Sequence, residues 1–224
     1  MKPLIDLFML TWNRCEYTAM TLKSLETIDS GVSWDDVHFT VIDQASTDDN
    51  LKVLNACAVV DEIITLPTNL GVAGGMDYFR RECLHKGPYV SKIDNDSIFT
   101  PDWLGKMFRA LKAWPGLGLV GAAQGNRKGP GLVVNKDGAG FYPASFIGGR
   151  FLCRRAAFNA SNIRGKGLYG WQAFQRKHIK PKWKIGWCHP PAVIQHVGDW
   201  NERHPLAIKN LKYRKYMQDV GRAK

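Results

Sequence analysis

Asp94 and Asp96, separated by Asn95, close an apolar run over residues 88–93. Side chains two positions apart in an extended segment share a side, so the two carboxylates can present oxygens to one point in space. Carboxylates that close disfavour double ionisation unless a cation sits between them. Hard oxygen ligands suit Mg²⁺ or Mn²⁺, which commonly hold one or two protein carboxylates plus substrate phosphates. A solvated acidic turn at a strand end carries the same residues, so the elements around the pair must distinguish the two readings.

Those elements alternate. Residues 4–10 are an apolar, strand-forming run that ends in Thr11-Trp12-Asn13-Arg14. Tyr17, Met20, Leu22 and Leu25 then recur at helical spacing up to the breaker Ser30-Gly31. A second strand over 37–42 ends in Asp43-Gln44-Ala45-Ser46-Thr47-Asp48-Asp49, and a helix through Leu51, Val53 and Leu54 follows. A third strand at 62–66 is followed by the loop 67–75 and a helix ending near Gly87, and the fourth strand runs into Asp94. Four alternations predict an α/β fold, a mostly parallel sheet flanked by helices. Ligands of such sheets bind beyond the carboxyl ends of the strands, the edge on which Asn13, Asp43, Asn69, Asp94 and Asp96 all fall. That shared placement favours the metal reading over the turn.

After a helix near 101–114 the pattern becomes mixed. A strand at 117–123 precedes a glycine-rich basic loop or hairpin over 125–140, expected near the site. Residues 147–158 read as a strand passing into a helix, 169–178 as a short helix, and 184–188 and 192–197 as short strands. A basic helix over about 205–220 ends the chain. The organisation expected is one domain over 1–200, with a ligand-binding half (1–100) and a smaller mixed half (101–200), plus a basic tail (201–224).

The net charge of +11 is unevenly placed: residues 1–163 carry 17 Lys/Arg and 17 Asp/Glu, whereas residues 164–224 carry 14 and 3. Such asymmetry points to a polyanionic partner for the C-terminal segment, against the alternative of a solvated basic face. The five cysteines are odd in number and match no zinc or disulfide spacing, which suggests a reducing, cytoplasmic compartment. Asp6 interrupts the apolar N-terminus and no small-residue cleavage site follows, so this segment reads as a strand. No stretch reaches the roughly 18 apolar residues of a membrane span. The first strand is not followed by G-x-G-x-x-G, which argues against a dinucleotide-binding oxidoreductase.

Five stretches in order resemble the family 2 glycosyltransferases, enzymes of the GT-A fold. They are Thr11-Trp12-Asn13-Arg14, residues 41–49, residues 69–75, Asp94-Asn95-Asp96 with Pro101-Asp102-Trp103-Leu104, and residues 149–158. The resemblance covers roughly residues 4–160. It implies a nucleotide-sugar donor, most readily a UDP-sugar, with Asp43 accepting hydrogen bonds from the base. Thr11, Asn13, Arg14, Asn69, Gly71, Asn95 and Gly149 would line the nucleotide-sugar pocket. Asp94 and Asp96 would hold Mn²⁺ or Mg²⁺ against the diphosphate, and His196 falls where some GT-A enzymes place a further metal ligand.

The family usually carries an acidic pair before a late helix, one member acting as general base. Here the stretch is residues 169–177, and no acid lies between Asp137 and Asp199. Gln172 occupies that place and cannot take a proton at neutral pH. Three explanations stay open: Asp199 or Glu202 supplies the base, the transfer retains configuration without it, or the protein binds without catalysis. Around the same stretch Trp171, Arg176, Lys177, Lys182 and Trp183 interleave cations with flat aromatics, a combination that suits a polyanionic acceptor. A hydroxylated base in DNA stands ahead of an anionic envelope glycan or lipid. The alternative is that the tryptophans are core and the lysines solvated.

Overall fold

Every residue of β1 (Ile5–Thr11) is buried, because the strand lies inside a sheet covered on both faces. The computed structural model describes residues 3–82, 87–122 and 131–197. The two-residue period of the strand sorts its side chains between two cores. Ile5, Leu7 and Met9 join one cluster with Val37, Phe39 and Val41 of β2 (Val37–Gln44). Phe8 and Leu10 join the other with Ile42. The first core is closed by α1 (Cys15–Thr27), α2 (Asn50–Asn55) and α4 (Trp103–Ala113) through Leu22, Leu25, Leu54, Met107 and Leu111. The second is closed by α3 (Gly71–Glu82), α5 (Arg155–Phe158) and α6 (Gly167–Phe174) through Met76, Phe79, Phe158, Trp171 and Phe174.

With β3 (Glu62–Leu66) and β4 (Tyr89–Asp94), β1 and β2 form the parallel half of the sheet. The nine-stranded order is β3-β2-β1-β4-β9-β6-β10-β8-β7. The mixed half contains β6 (Leu117–Gly121), β7 (Val133–Val134), β8 (Gly140–Pro143), β9 (Phe151–Arg154) and β10 (Lys184–His189). β9 runs antiparallel to both β4 and β6, and so joins the halves. The α/β architecture expected from the alternating pattern is present, and each of the first four strands ends at one edge.

Two features differ from the sequence reading. The 125–140 stretch was expected near the site. Its described portion, from residue 131, forms the β7–β8 hairpin at the outer edge of the sheet, far in strand order from the β1–β4 junction. A small second sheet, β5 (Ser97–Phe99) paired antiparallel with β11 (Ile194–His196), was not anticipated on the β5 side. The basic helix expected over 205–220 lies outside the described residues.

Asp6, the charge that breaks the N-terminal apolar run, is fully buried. It pairs with Arg155 at the start of α5, and its Oδ2 accepts from the Gly87 N–H at 2.9 Å. The Arg155 N–H in turn donates to the Pro88 carbonyl at 2.9 Å. The pair therefore fastens α5 to the strand-entry edge of β1 and β4. Breaking a buried pair from one side leaves an uncompensated charge, which costs about 3–5 kcal/mol. Arg155→Leu is expected to lose about that much in urea unfolding, and replacing Asp6 by Asn in the same chain is expected to recover some of it.

Candidate functional site

The β1–α1 and β2–α2 turns are zipped together by one buried carboxylate. Asp43 Oδ1 accepts from Thr11 Oγ1 (3.0 Å), Asn50 Nδ2 (2.7 Å) and Ser46 Oγ, while Oδ2 accepts from the Ser46 N–H (3.0 Å). Asn13 continues the link, its Oδ1 accepting from the Thr47 N–H at 2.7 Å and its N–H donating to Ser46 Oγ at 2.7 Å. Asn13, Arg14 and Ala45 all adopt positive φ in these turns, a conformation costly for non-glycine residues and held only where surroundings over-determine it.

Beside this junction lies a cleft of about 750 Å³. Thr11, Arg14, Asn69, Gly71, Asp94, Asn95, Asp96, Gly149 and His196 line it, as expected from the sequence. Asp43 and Asn13 do not. Asp43 is only 1% exposed and its oxygens are engaged by Thr11, Asn50 and Ser46, so it locks the two turns together. Its neighbour Gln44 lines the cleft instead, and Gln44 Oε1 accepts from the Leu70 N–H at 3.2 Å. Asn69 Oδ1 accepts from the Gly71 N–H at 2.7 Å, and Gly71 takes φ 67° as the chain turns into α3. Residues 69–72, at the N-terminus of α3, line the cleft, and a helix N-terminus favours anions.

Asp94 and Asp96 lie at the cleft floor, each among cations. Lys92, on the same strand and only 2% exposed, donates from Nζ to Asp94 Oδ1 and to the Gly149 carbonyl at 3.2 Å. Arg150 Nε lies 3.7 Å from Asp94 Oδ2. Burial alone would raise the Asp94 pKa, but the Lys92 and Arg150 charges outweigh it and hold the group at about 2. A Cβ at residue 149 would fall 2.6 Å from Asp94 Oδ1, so glycine is needed there for the loop to approach. Arg14 Nη1 donates to Asp96 Oδ2 at 3.2 Å and its guanidinium lies 4.3 Å from the Tyr17 ring centroid.

His196 reaches the floor through β11. Its register partner on β5 is Ser97, and the Val197 N–H donates to the Asp96 carbonyl at 2.9 Å. α1 holds β5 in turn, Thr21 Oγ1 and Ser24 Oγ each accepting a backbone N–H at 2.9 Å. His196 Nε2 consequently lies 3.0 Å from Asp96 Oδ1. Ligand atoms of Asp94, Asp96 and His196 all fall within 4.8 Å of one another. Asp96 Oδ1 is buried and accepts no hydrogen bond among the described residues. Two neighbouring ligands of an octahedral ion with bonds of about 2.1 Å stand roughly 3.0 Å apart, the spacing of His196 Nε2 and Asp96 Oδ1, and two carboxylates with an imidazole are donors that suit a divalent cation.

The expected acceptor residues separate into two groups. Trp171 is fully buried, stacks on Phe151 and Phe174, and donates from Nε1 to the Ile147 carbonyl at 3.0 Å. It cannot offer a stacking face; it steadies the loop that ends at Gly149. Gln175 does the same, its Nε2 donating to Ile147 O at 2.7 Å and its Oε1 accepting from Ile147 N at 2.9 Å. Trp183 is half-buried over Gly118. Arg176, Lys177 and Lys182 are exposed. Gln172 is also exposed and lines a different cavity, with Tyr169 and Arg176. Asp199 lies outside the described residues. Lys92, Trp12, Gln44 and residues 165–168 line the cleft without having been singled out.

The family profile described as Glycosyl transferase family 2 matches residues 6–162. A search of curated proteins finds no match. Among solved structures, S. aureus TarS residues 1–349 superimposes with a TM-score of 0.65 at 18% identity, over 88% of this chain and 60% of that one. The same TarS fragment in complex with UDP-GlcNAc gives 0.62 at 16% identity, over 87% and 58%. The mannosyltransferase PcManGT from Pyrobaculum calidifontis, in complex with GDP-Man and Mn²⁺, gives 0.67 at 14% identity, over 100% and 66%. These likenesses show the fold, and the chain spans about 60% of the TarS fragment's length. If Asp94, Asp96 and His196 share one ion, His196→Ala should raise the Mn²⁺ dissociation constant at least roughly ten-fold, since loss of an outer-shell partner already costs that much. Electron paramagnetic resonance of free Mn²⁺ reads this directly, and unchanged binding would remove His196 from the ligand set.

Proposed function

Because the chain belongs to glycosyl transferase family 2, we propose that it transfers a sugar from a UDP-sugar, with Mn²⁺ or Mg²⁺, to a hydroxyl of a polyanionic acceptor, foremost a hydroxylated base in DNA. The observation that carries the donor side is the convergence of Asp94, Asp96 and His196 on one point of a cleft at the strand ends. TarS in complex with UDP-GlcNAc and PcManGT with GDP-Man and Mn²⁺ support it by analogy of fold.

Bound there, the cation would supply charge neutralisation at the leaving diphosphate. The chain's own residues add to this. Lys92, Arg14 and Arg150 are fixed positive charges around the carboxylates, and the N-terminus of α3 offers its first N–H groups to the phosphates. Preorganised charges of this kind act most strongly where water is displaced. Gly149 and the loop held by Trp171 and Gln175 keep Asp94 in place.

An inverting displacement needs a base within hydrogen-bonding reach of the acceptor hydroxyl. Asp94 and Asp96 are the carboxylates lining the cleft among the described residues, and both are committed to cations. Asp199 follows Val197 by two residues, a span of at most about 7 Å of chain, and Val197 is hydrogen-bonded to Asp96. We assign the base role to Asp199. The absence of any other free carboxylate among the described cleft residues is what keeps a binding-only reading as the alternative.

Incubation with a panel of nucleotide sugars and Mn²⁺ should release nucleoside diphosphate, and Asp94→Ala or Asp96→Ala should abolish that release. Asp199→Asn should lower transfer by about 10²–10⁴-fold while leaving nucleoside diphosphate affinity, measured by calorimetry, close to that of the wild type. Wild-type protein that binds nucleotide but never releases it from any donor would establish the binding-only reading.

A further inference from the structure

α6 begins at the cleft and then leaves it. Gly167 and Leu168 line the donor cleft, whereas the next residue, Tyr169, is 83% exposed and lines a separate cavity of about 450 Å³. Gln172, Arg176 and Lys180 line that cavity with it. The helix continues through a π-helical turn, Gln175–Ile179, which carries Lys177 and His178 to the opposite flank. There they line a second cavity of about 380 Å³ with Arg164, Ser161 and Asn162. Ala173 lines both cavities. They therefore meet across Ala173 of α6, the smallest side chain between them, with cations on both sides.

The groove's charge is not neutralised locally. Residues 138–197 contain ten Lys/Arg and no Asp/Glu. Among the described residues Arg164, Arg176, Lys177 and Lys180 form no ion pair with a carboxylate, in contrast to Arg80, Arg81 and Arg109 elsewhere on the surface. Cations left open on both sides of a groove track a chain of negative charges. A flat ring presented almost whole to solvent stacks on bases irrespective of sequence. A membrane surface would call for a broad apolar face, but the groove is concave and its walls carry Ser145, Gln172, Ser161 and Asn162.

We propose that this groove, entered past Tyr169, binds a single-stranded polynucleotide and leads its acceptor residue to the donor cleft. Tyr169 stacks on a base next to the reacting one, Arg176 and Lys180 hold phosphates on one bank, and Arg164 and Lys177 hold them on the other. The catalytic consequence rests on the transferase reading above; the binding does not. An acceptor base presented on a single strand needs no extrusion from a duplex.

The test is fluorescence anisotropy of a labelled oligothymidylate of about 20 nucleotides with the full chain, between about 50 and 200 mM salt. The double variant Arg176→Glu/Lys180→Glu should bind at least roughly ten-fold more weakly. Its plot of log affinity against log salt should be shallower by about 1.4, from two phosphate contacts at about 0.7 each on a single strand. Tyr169→Ala should weaken binding roughly ten-fold with the salt slope preserved, as for a lost stacking contact. Lys112→Glu, an exposed charge reversal on α4, should stay within about two-fold of the wild type, which controls for net charge. The same basic tail is present in every variant, so its contribution cancels. The proposal is overturned if the groove variants bind like Lys112→Glu, or if the wild type ignores the oligonucleotide and binds vesicles of anionic lipid instead. Failure of the transferase reading would show separately, as a wild type that releases no nucleoside diphosphate from any donor.

Discussion

Two carboxylates at the end of one strand, partly removed from water, repel each other, and much of the local structure answers that repulsion. At an effective dielectric near 20, unit charges 4 Å apart interact by about 4 kcal/mol. Lys92 meets Asp94 from within the same strand, at the cost of burying an ammonium that would be unfavourable without a partner. Arg150 approaches from the loop after Gly149, Arg14 from the first turn, and His196 from β11. Each of these four partners arrives on a different element, so the position of the pair is fixed by the packing of four segments rather than by any one of them. The site is positively compensated before any ligand enters, and a diphosphate would meet these same cations.

Asp43 has the complementary role at the end of the second strand. Its carboxylate gathers donors from β1, from its own turn and from α2, and thereby fixes the spacing of the first two strand ends. The strained backbone of Asn13, Arg14 and Ala45 is tolerated because this hub and the Asn13–Thr47 link hold it. Arg14 can then turn towards Asp96 on the far side of β4. The cleft is thus set by polar bonds along its rim and by two apolar cores beneath it.

The parallel half and the location of the site were legible in the sequence for a simple reason. Strands buried on both faces read as continuous apolar runs, and each ended abruptly in a polar cluster. What single residues do at that edge was less legible. Asp43 and Asp94 both lie at strand ends, yet one faces inward to four donors and the other faces the cleft. Lys92 lies within the run read as an apolar strand, and only the pairing of β9 with β4, which brings Gly149 and Arg150 close, reveals its partners. Around Trp171 the sequence left two readings open, because aromatics among cations look alike whether they point in or out; Trp171 points in. Its period carried the answer: Trp171, Phe174, Gln175 and Ile179 recur at helical spacing and are all buried, which leaves Tyr169, Gln172, Arg176 and Lys180 on the other side.

That division of one helix places the cleft and the basic cavities at successive residues of the same element. The buried face of α6 clamps the loop at 147–149 through Trp171 and Gln175, and so bears on Asp94. The exposed face of the same helix carries the cations and the open ring. Because both faces belong to one short element, a chain seated in the proposed groove would be held in register with Asp94 and Asp96. Positioning of two reactants by a shared scaffold is itself a large share of what a transferase contributes to rate. The lack of an acidic pair before this helix leaves that scaffold untouched.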